Sequence, residues 1–120
     1  MVAIGVTGHR EFPYPEIIAQ AVDIALNKII GCFGGKQLTI ISPLAEGADR
    51  LVAERALENY EVILIVPLPL ETGDYLQDFS SETSKQAFLQ LLQRADSIIQ
   101  LPFQDTRTAN YLSAGFYTLN

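Results

Sequence analysis

A histidine and an arginine stand side by side where the first apolar run ends: Val2–Arg10 reads V-A-I-G-V-T-G-H-R. Thr7 supplies a hydroxyl and Gly8 free backbone dihedrals. His9, the chain's one histidine, supplies a ring donor, and Arg10 a planar fork that pairs with phosphate. The same residues have a plainer reading, with His9 bonded to a nearby carbonyl and Arg10 tied to Glu11 or Glu46. A second polar group follows the next apolar run, S-P-L-A-E-G-A-D-R over Ser42–Arg50. Gly47 lets backbone approach a ligand at a helix start, where unpaired amides attract anions, and the Ser42 hydroxyl could join them. Glu46 and Asp49 lie in that same turn. Either they complement the helix dipole, or they touch a ribose hydroxyl, a base edge or a metal, because they would repel a phosphate.

A third group follows the third run. Tyr75 and Phe79 could wall a base, with Asp78 as a polar contact, or could simply pack. One histidine, one cysteine (Cys32) and scattered carboxylates show no metal-ligand spacing. Gly5 and Gly8 do not make a G-x-G-x-x-G fingerprint, and no Walker A or G-x-S-x-G sequence is present.

These groups need elements to hold them. Val2 onward lacks polar alternation, as in a strand buried on both faces. Pro15 suits a first helical turn, and Ile18, Ala21, Val22, Ala25 and Ile29 recur at helical spacing from Glu16 to about Ile30. Ile17, Ile24, Leu26 and Ile30 widen that stripe, as expected for a helix on a sheet, and Gly31, Gly34 and Gly35 are read as its stop. Leu38–Ile41 is the second strand, and the helix after Ser42–Arg50 runs to about Asn59. Glu61–Val66 is the third strand, expected to end at Pro67 because proline donates nothing to a ladder. Glu71–Phe79 reads as a polar loop. A helix capped from Ser80, Ser81, Glu82 or Thr83 runs to about Arg94. Ser97–Leu101 is the fourth strand, Gln104–Arg107 a loop, and Thr108–Leu119 one more helix.

Strict strand–helix alternation predicts an α/β fold: a three-layer, Rossmann-like parallel sheet with helices on both faces, in one domain over 1–120. The sheet is expected to be truncated after the fourth strand, or its edge covered by another chain in a homo-oligomer. In such a sheet all three polar groups emerge at one rim, where open α/β folds bind ligands. The 120 residues carry a formal charge of -6 and 48% hydrophobic residues, which excludes disorder and broad nucleic-acid binding but not one small anion. A single cysteine, no basic leader and no run of membrane-spanning length point to the cytoplasm and away from a membrane.

V-T-G-H-R after the first strand, S-P-L-A-E-G-A-D-R-L-V-A-E into the second helix, and V-P-L-P followed by Y-L-Q-D-F resemble the SLOG superfamily, Rossmann-like domains related to LOG, DprA and YpsA-type proteins. The resemblance covers nearly the whole chain, with three motifs in the same order. It implies a nucleotide or nucleotide derivative as ligand, bound by a sensor or a nucleotide-processing enzyme. By position the rim would use Thr7, Gly8, His9 and Arg10, then Ser42, Glu46, Gly47, Ala48 and Asp49. No cofactor is identified; a nucleotide or other phosphate-containing small molecule is the ligand class implied. The P-G-G-x-G-T-x-x-E motif of the phosphoribohydrolase branch is absent, and the family pattern usually continues into a further strand and glycine-rich loop. Ligand binding is therefore placed first and an interaction module with a lost pocket second. Third comes a hydrolase of N-glycosidic or phosphate bonds, with Glu46 or Asp49 as acid/base beside a phosphate anchored by Arg10.

Overall fold

The computed structural model describes residues 2–5, 15–33, 37–102 and 106–119. Among them the order is β1 (Val2–Gly5), α1 (Pro15–Phe33), β2 (Gln37–Ile41), α2 (Ala48–Asn59), β3 (Glu61–Leu68), α3 (Thr72–Leu76), α4 (Glu82–Gln93), β4 (Ser97–Gln100) and α5 (Arg107–Leu119). The strands form one parallel sheet in the order β1-β2-β3-β4. This is the α/β, Rossmann-like architecture expected from the alternation.

Register separates the two faces. Ile4, Ile40 and Leu64 lie level across three strands, and with Leu38, Val66 and Leu68 they join a core that includes Leu26, Ala53, Ala56, Phe88 and Leu91. Each crossover steps to the next strand in one direction, and right-handed crossovers then stack α1, α2 and α4 on the same face. Accordingly α1 packs on α2, and α2 on α4. Side chains one position along belong to the opposite face. There a Cβ on Gly5 would lie 2.7 Å from the Thr118 carbonyl oxygen of α5, so Gly5 is where that helix touches the sheet. Ala114, Asn110 and Thr118 of α5 are buried, and α5 also packs on β3. Helices thus cover both faces, three on one and α5 on the other.

Three boundaries differ from those the sequence predicts. Helix α1 passes through Gly31 to Phe33. A Cβ on Gly31 would meet nothing within 4 Å, so neither crowding nor contact breaks the helix there. The stripe on α1 is also wider than the sheet can cover, and Ile17 and Ile24 stay 61% and 60% exposed. The segment after Glu71 contains the short helix α3 rather than an uninterrupted loop.

Strand β3 runs through Pro67 to Leu68. The ladder explains how. Leu64 and Leu68 accept from Asp96 and Leu101 on the β4 side, whereas Ile65 accepts from Ser42 on the β2 side. Pro67, two residues after Ile65, therefore points toward β2, whose pairing has already ended at Ile41. Its missing N–H costs no bond there.

Candidate functional site

All four strands run in one direction, so the carboxyl ends of β1, β2 and β3 share one rim, where α2 and α4 begin. Gly5 is level with Ile41, so β1 and β2 end together. Thr7, Gly8, His9 and Arg10 lie outside the described residues. The other expected site residues are in view.

The loop from Ser42 to Gly47 is a tight knot. Ser42 extends the ladder by donating its amide to Ile65 at 3.0 Å, and its fully buried hydroxyl accepts the Leu44 amide at 3.1 Å. That oxygen serves the loop. Leu44 has φ 57, an unusual conformation for a side chain branched at Cγ, and is held there by a wholly buried side chain. Gly47, at φ 94 and ψ -127, precedes Ala48 at the start of α2. A Cβ is strained in that region whatever space surrounds it, so glycine is required by the turn. Beyond it, Leu51 donates to the Gly47 carbonyl at 3.1 Å and the helix is under way.

Arg50 and Glu46 tie this knot to α4. Arg50 is buried; its Nε donates to the Leu44 carbonyl at 2.9 Å and Nη1 to the Ser84 carbonyl and hydroxyl at 2.9 and 2.8 Å. Its guanidinium lies over the Phe79 ring, 4.3 Å from the centroid. Glu46 accepts from the Ser80 amide at 3.0 Å, the Ser80 hydroxyl at 2.8 Å and the Ser84 hydroxyl. Partial burial would raise the Glu46 carboxyl, but these bonds from Ser84 and Ser80 hold it below its usual value. A carboxylate so engaged is an anchor for the start of α4 rather than a proton donor.

Asp49 differs. The residue is 7% exposed, and its carboxylate accepts the Ala45 amide at 3.3 Å. Burial pushes it up to about 6, against the opposing effects of the Ala45 bond and the Arg50 charge. Of the two acidic residues in this turn, Asp49 is the one poised to change protonation near neutrality.

The third group packs. Tyr75 is wholly buried and Phe79 5% exposed, with Tyr75 edge-on to Phe79 at 4.9 Å and to Phe88 at 5.4 Å. The Tyr75 hydroxyl donates to the Pro43 carbonyl at 3.1 Å, so this cluster braces the β2–α2 loop from beneath. A base could not stack on rings already enclosed, which corrects the aromatic-wall reading. Asp78 accepts both Arg107 Nε and Nη2, at 2.8–3.0 Å, and the Tyr111 hydroxyl, fastening the start of α5 to the segment after α3.

The rim loops after β2 and β3 therefore do converge, and side chains fill the space between them. Arg50, Ser80 and Ser84 carry this junction; sequence reasoning assigned Arg50 and Ser84 no role and offered Ser80 only as a helix cap. The available signal was Arg50 itself, a cation directly before the apolar Leu51, Val52 and Ala53 of an otherwise core-facing helix. Among the described residues no group of three or more His, Cys, Asp or Glu could hold a metal ion, and no helix is long and apolar enough to cross a membrane. No family model, curated protein or solved structure matches the chain.

Proposed function

We propose that this chain is a nucleotide- or nucleotide-derivative-binding domain of the SLOG type, a ligand sensor acting in the cytoplasm. The observation that supports this reading is the level ending of β1 and β2, with Gly5 opposite Ile41. Ser42 and the glycine-led opening of α2 follow β2 from that level, and in the sequence T-G-H-R follows β1. A helix N-terminus and an arginine fork are complementary to one phosphate. The fixed dihedrals of Gly47 and the Arg50–Ser84 brace keep that helix start in place without help from a ligand. Preorganisation of this kind lowers the ordering cost of binding. The test is a panel of adenine and guanine nucleotides in thermal unfolding. The expected result is a raised Tm with at least one of them, abolished in Arg10→Ala. Absence of any rise at millimolar ligand would refute the reading.

A second reading, cleavage of an N-glycosidic bond, is favoured by one observation only. Asp49 is a buried carboxyl with its titration raised to about 6, a value suited to acid/base work. The role would belong to Asp49 and not to Glu46. Release of free base from a nucleoside monophosphate, lost in Asp49→Asn, is its signature.

Edge pairing bears on assembly. Among the described residues β1 pairs only with β2 and β4 only with β3, and Ile98 of β4 is 50% exposed. A homo-oligomer covering one of these edges is the proposed assembly, and light scattering decides it.

A further inference from the structure

Between the carboxyl ends of β3 and β4 opens a cavity of ≈ 350 Å³, lined by Pro69, Leu70, Glu71, Asp74, Gln100 and Leu101. It lies on the same rim as the α2 start but on the far side of β3. Its size falls within the range of small-molecule sites.

The lining divides into two kinds. Pro69 and Leu70 are buried and back the cavity, so the apolar surface that a flat ring can reach is that of half-buried Leu101. The polar groups are carboxylates and one amide. Asp74 is paired with Arg107 Nη1 at 3.1 Å, whereas Glu71 is exposed and its side chain bonds to no other described residue. Gln100 donates from Nε2 to the Leu68 and Leu101 carbonyls at 3.5 and 3.4 Å, both at the long limit of a hydrogen bond. An amide held so loosely exchanges its partners at little cost.

This chemistry selects against a phosphate, which Glu71 would repel, and for an uncharged group rich in hydrogen-bond donors. A carboxylate accepts from ribose hydroxyls, and a carboxamide presents a donor and an acceptor together, matching the adjacent amino group and ring nitrogen of adenine. We infer that the cavity between the ends of β3 and β4 is a nucleoside subsite. It takes base and ribose against Leu101, with Gln100 and Glu71 as the recognising side chains. The inference rests on the nucleotide-binding reading and assigns the uncharged part of that ligand to a different stretch of the rim. The phosphate end is left to the α2 start, one to two strand spacings away, roughly 5–10 Å, where Ser80 and Ser84 already take up the Glu46 carboxylate.

The experiment is calorimetric titration of the full chain with adenosine, AMP and inorganic phosphate. It compares wild type with Gln100→Leu and Glu71→Gln. Both positions are exposed, and circular dichroism confirms that each variant is folded. The expected result is that adenosine and AMP bind wild type and lose about tenfold in affinity in each variant, the scale of one hydrogen bond to a ligand. Phosphate binding is expected to be unchanged by either substitution. AMP bound equally well by wild type and both variants would overturn the subsite and leave the nucleotide-binding reading standing. Failure of both adenosine and AMP to bind wild type would overturn the subsite, and the broader reading would then rest on the remaining nucleotides of the thermal-unfolding panel. Adenosine binding that Gln100→Leu weakens, in a protein indifferent to phosphate, would support the subsite while removing the phosphate half of the broader reading.

Discussion

Replacing Asp49 by asparagine is expected to make the protein more stable at neutral pH. The carboxylate is buried at the head of α2 with the Ala45 amide as its bonded neighbour, and its pKa rises from 3.8 unfolded to about 6 folded. A carboxyl raised in this way binds protons more tightly in the native state than in the unfolded one. Stability therefore falls as pH rises through the interval from 3.8 to about 6, and the full cost is present above it. A gap of that width corresponds to about 3 kcal/mol at most. Asparagine keeps an oxygen for the Ala45 amide but gives up the favourable interaction of a negative charge with the helix dipole, which returns up to about 1 kcal/mol. The net expectation is a gain of about 2 kcal/mol at pH 7.5. It shrinks to nearly nothing by pH 3.5. Urea unfolding of both proteins across this range measures the difference directly. An asparagine variant that is no more stable than wild type at pH 7.5, or whose advantage does not depend on pH, would refute the reasoning. A buried carboxylate retained at such a cost is expected where function needs the charge, so the stabilised variant is also expected to lose ligand response.

Gly47→Ala places a Cβ at φ 94 and is expected to cost about 1–3 kcal/mol in urea unfolding, whereas Gly31→Ala, in open space on α1, is expected to add up to about 1 kcal/mol. Gly5→Ala drives a methyl to 2.7 Å from the Thr118 carbonyl oxygen; a loss of about 1–3 kcal/mol is expected, with amide exchange in α5 accelerated more than in α2. Glu46→Gln removes the charged acceptor of Ser80 and Ser84 and is expected to cost roughly 1 kcal/mol at neutral pH, discounted for partial exposure. Because the folded Glu46 carboxyl lies below its usual 4.5, its contribution is present above that pH and disappears as pH falls through the folded value, so wild type and variant should converge in acid. An undiminished gap at pH 3 would contradict the anchoring role.

Much of the architecture is written in local pattern. The continuous apolar runs at Leu38–Ile41 and Glu61–Val66, separated by helical periodicity, require a parallel sheet between layers of helix, and that is what forms. The cap of α4 is equally local: the Ser81 hydroxyl accepts the Ser84 amide at 3.1 Å, a bond set by residues three apart. Polar groups at the strand ends were also legible as rim loops, because parallel strands must end on one side.

The partners of those polar groups were not legible, for a physical reason. Glu46 meets Ser80 and Ser84, and Arg50 meets Ser84 and Phe79, across more than 28 residues that only the stacking of α2 beside α4 brings together. A carboxylate at a helix start has the same sequence signature whether it faces a ligand, a dipole or two hydroxyls. Pro67 likewise reads as a strand end until register shows that its imide side faces no neighbour. Periodicity and turn chemistry, which act over a few residues, determined the elements and the edge from which their loops emerge. Burial and long-range pairing exist only once the layers close. They alone decided that Glu46, Ser42 and Tyr75 serve the framework and that Asp49 carries the displaced titration.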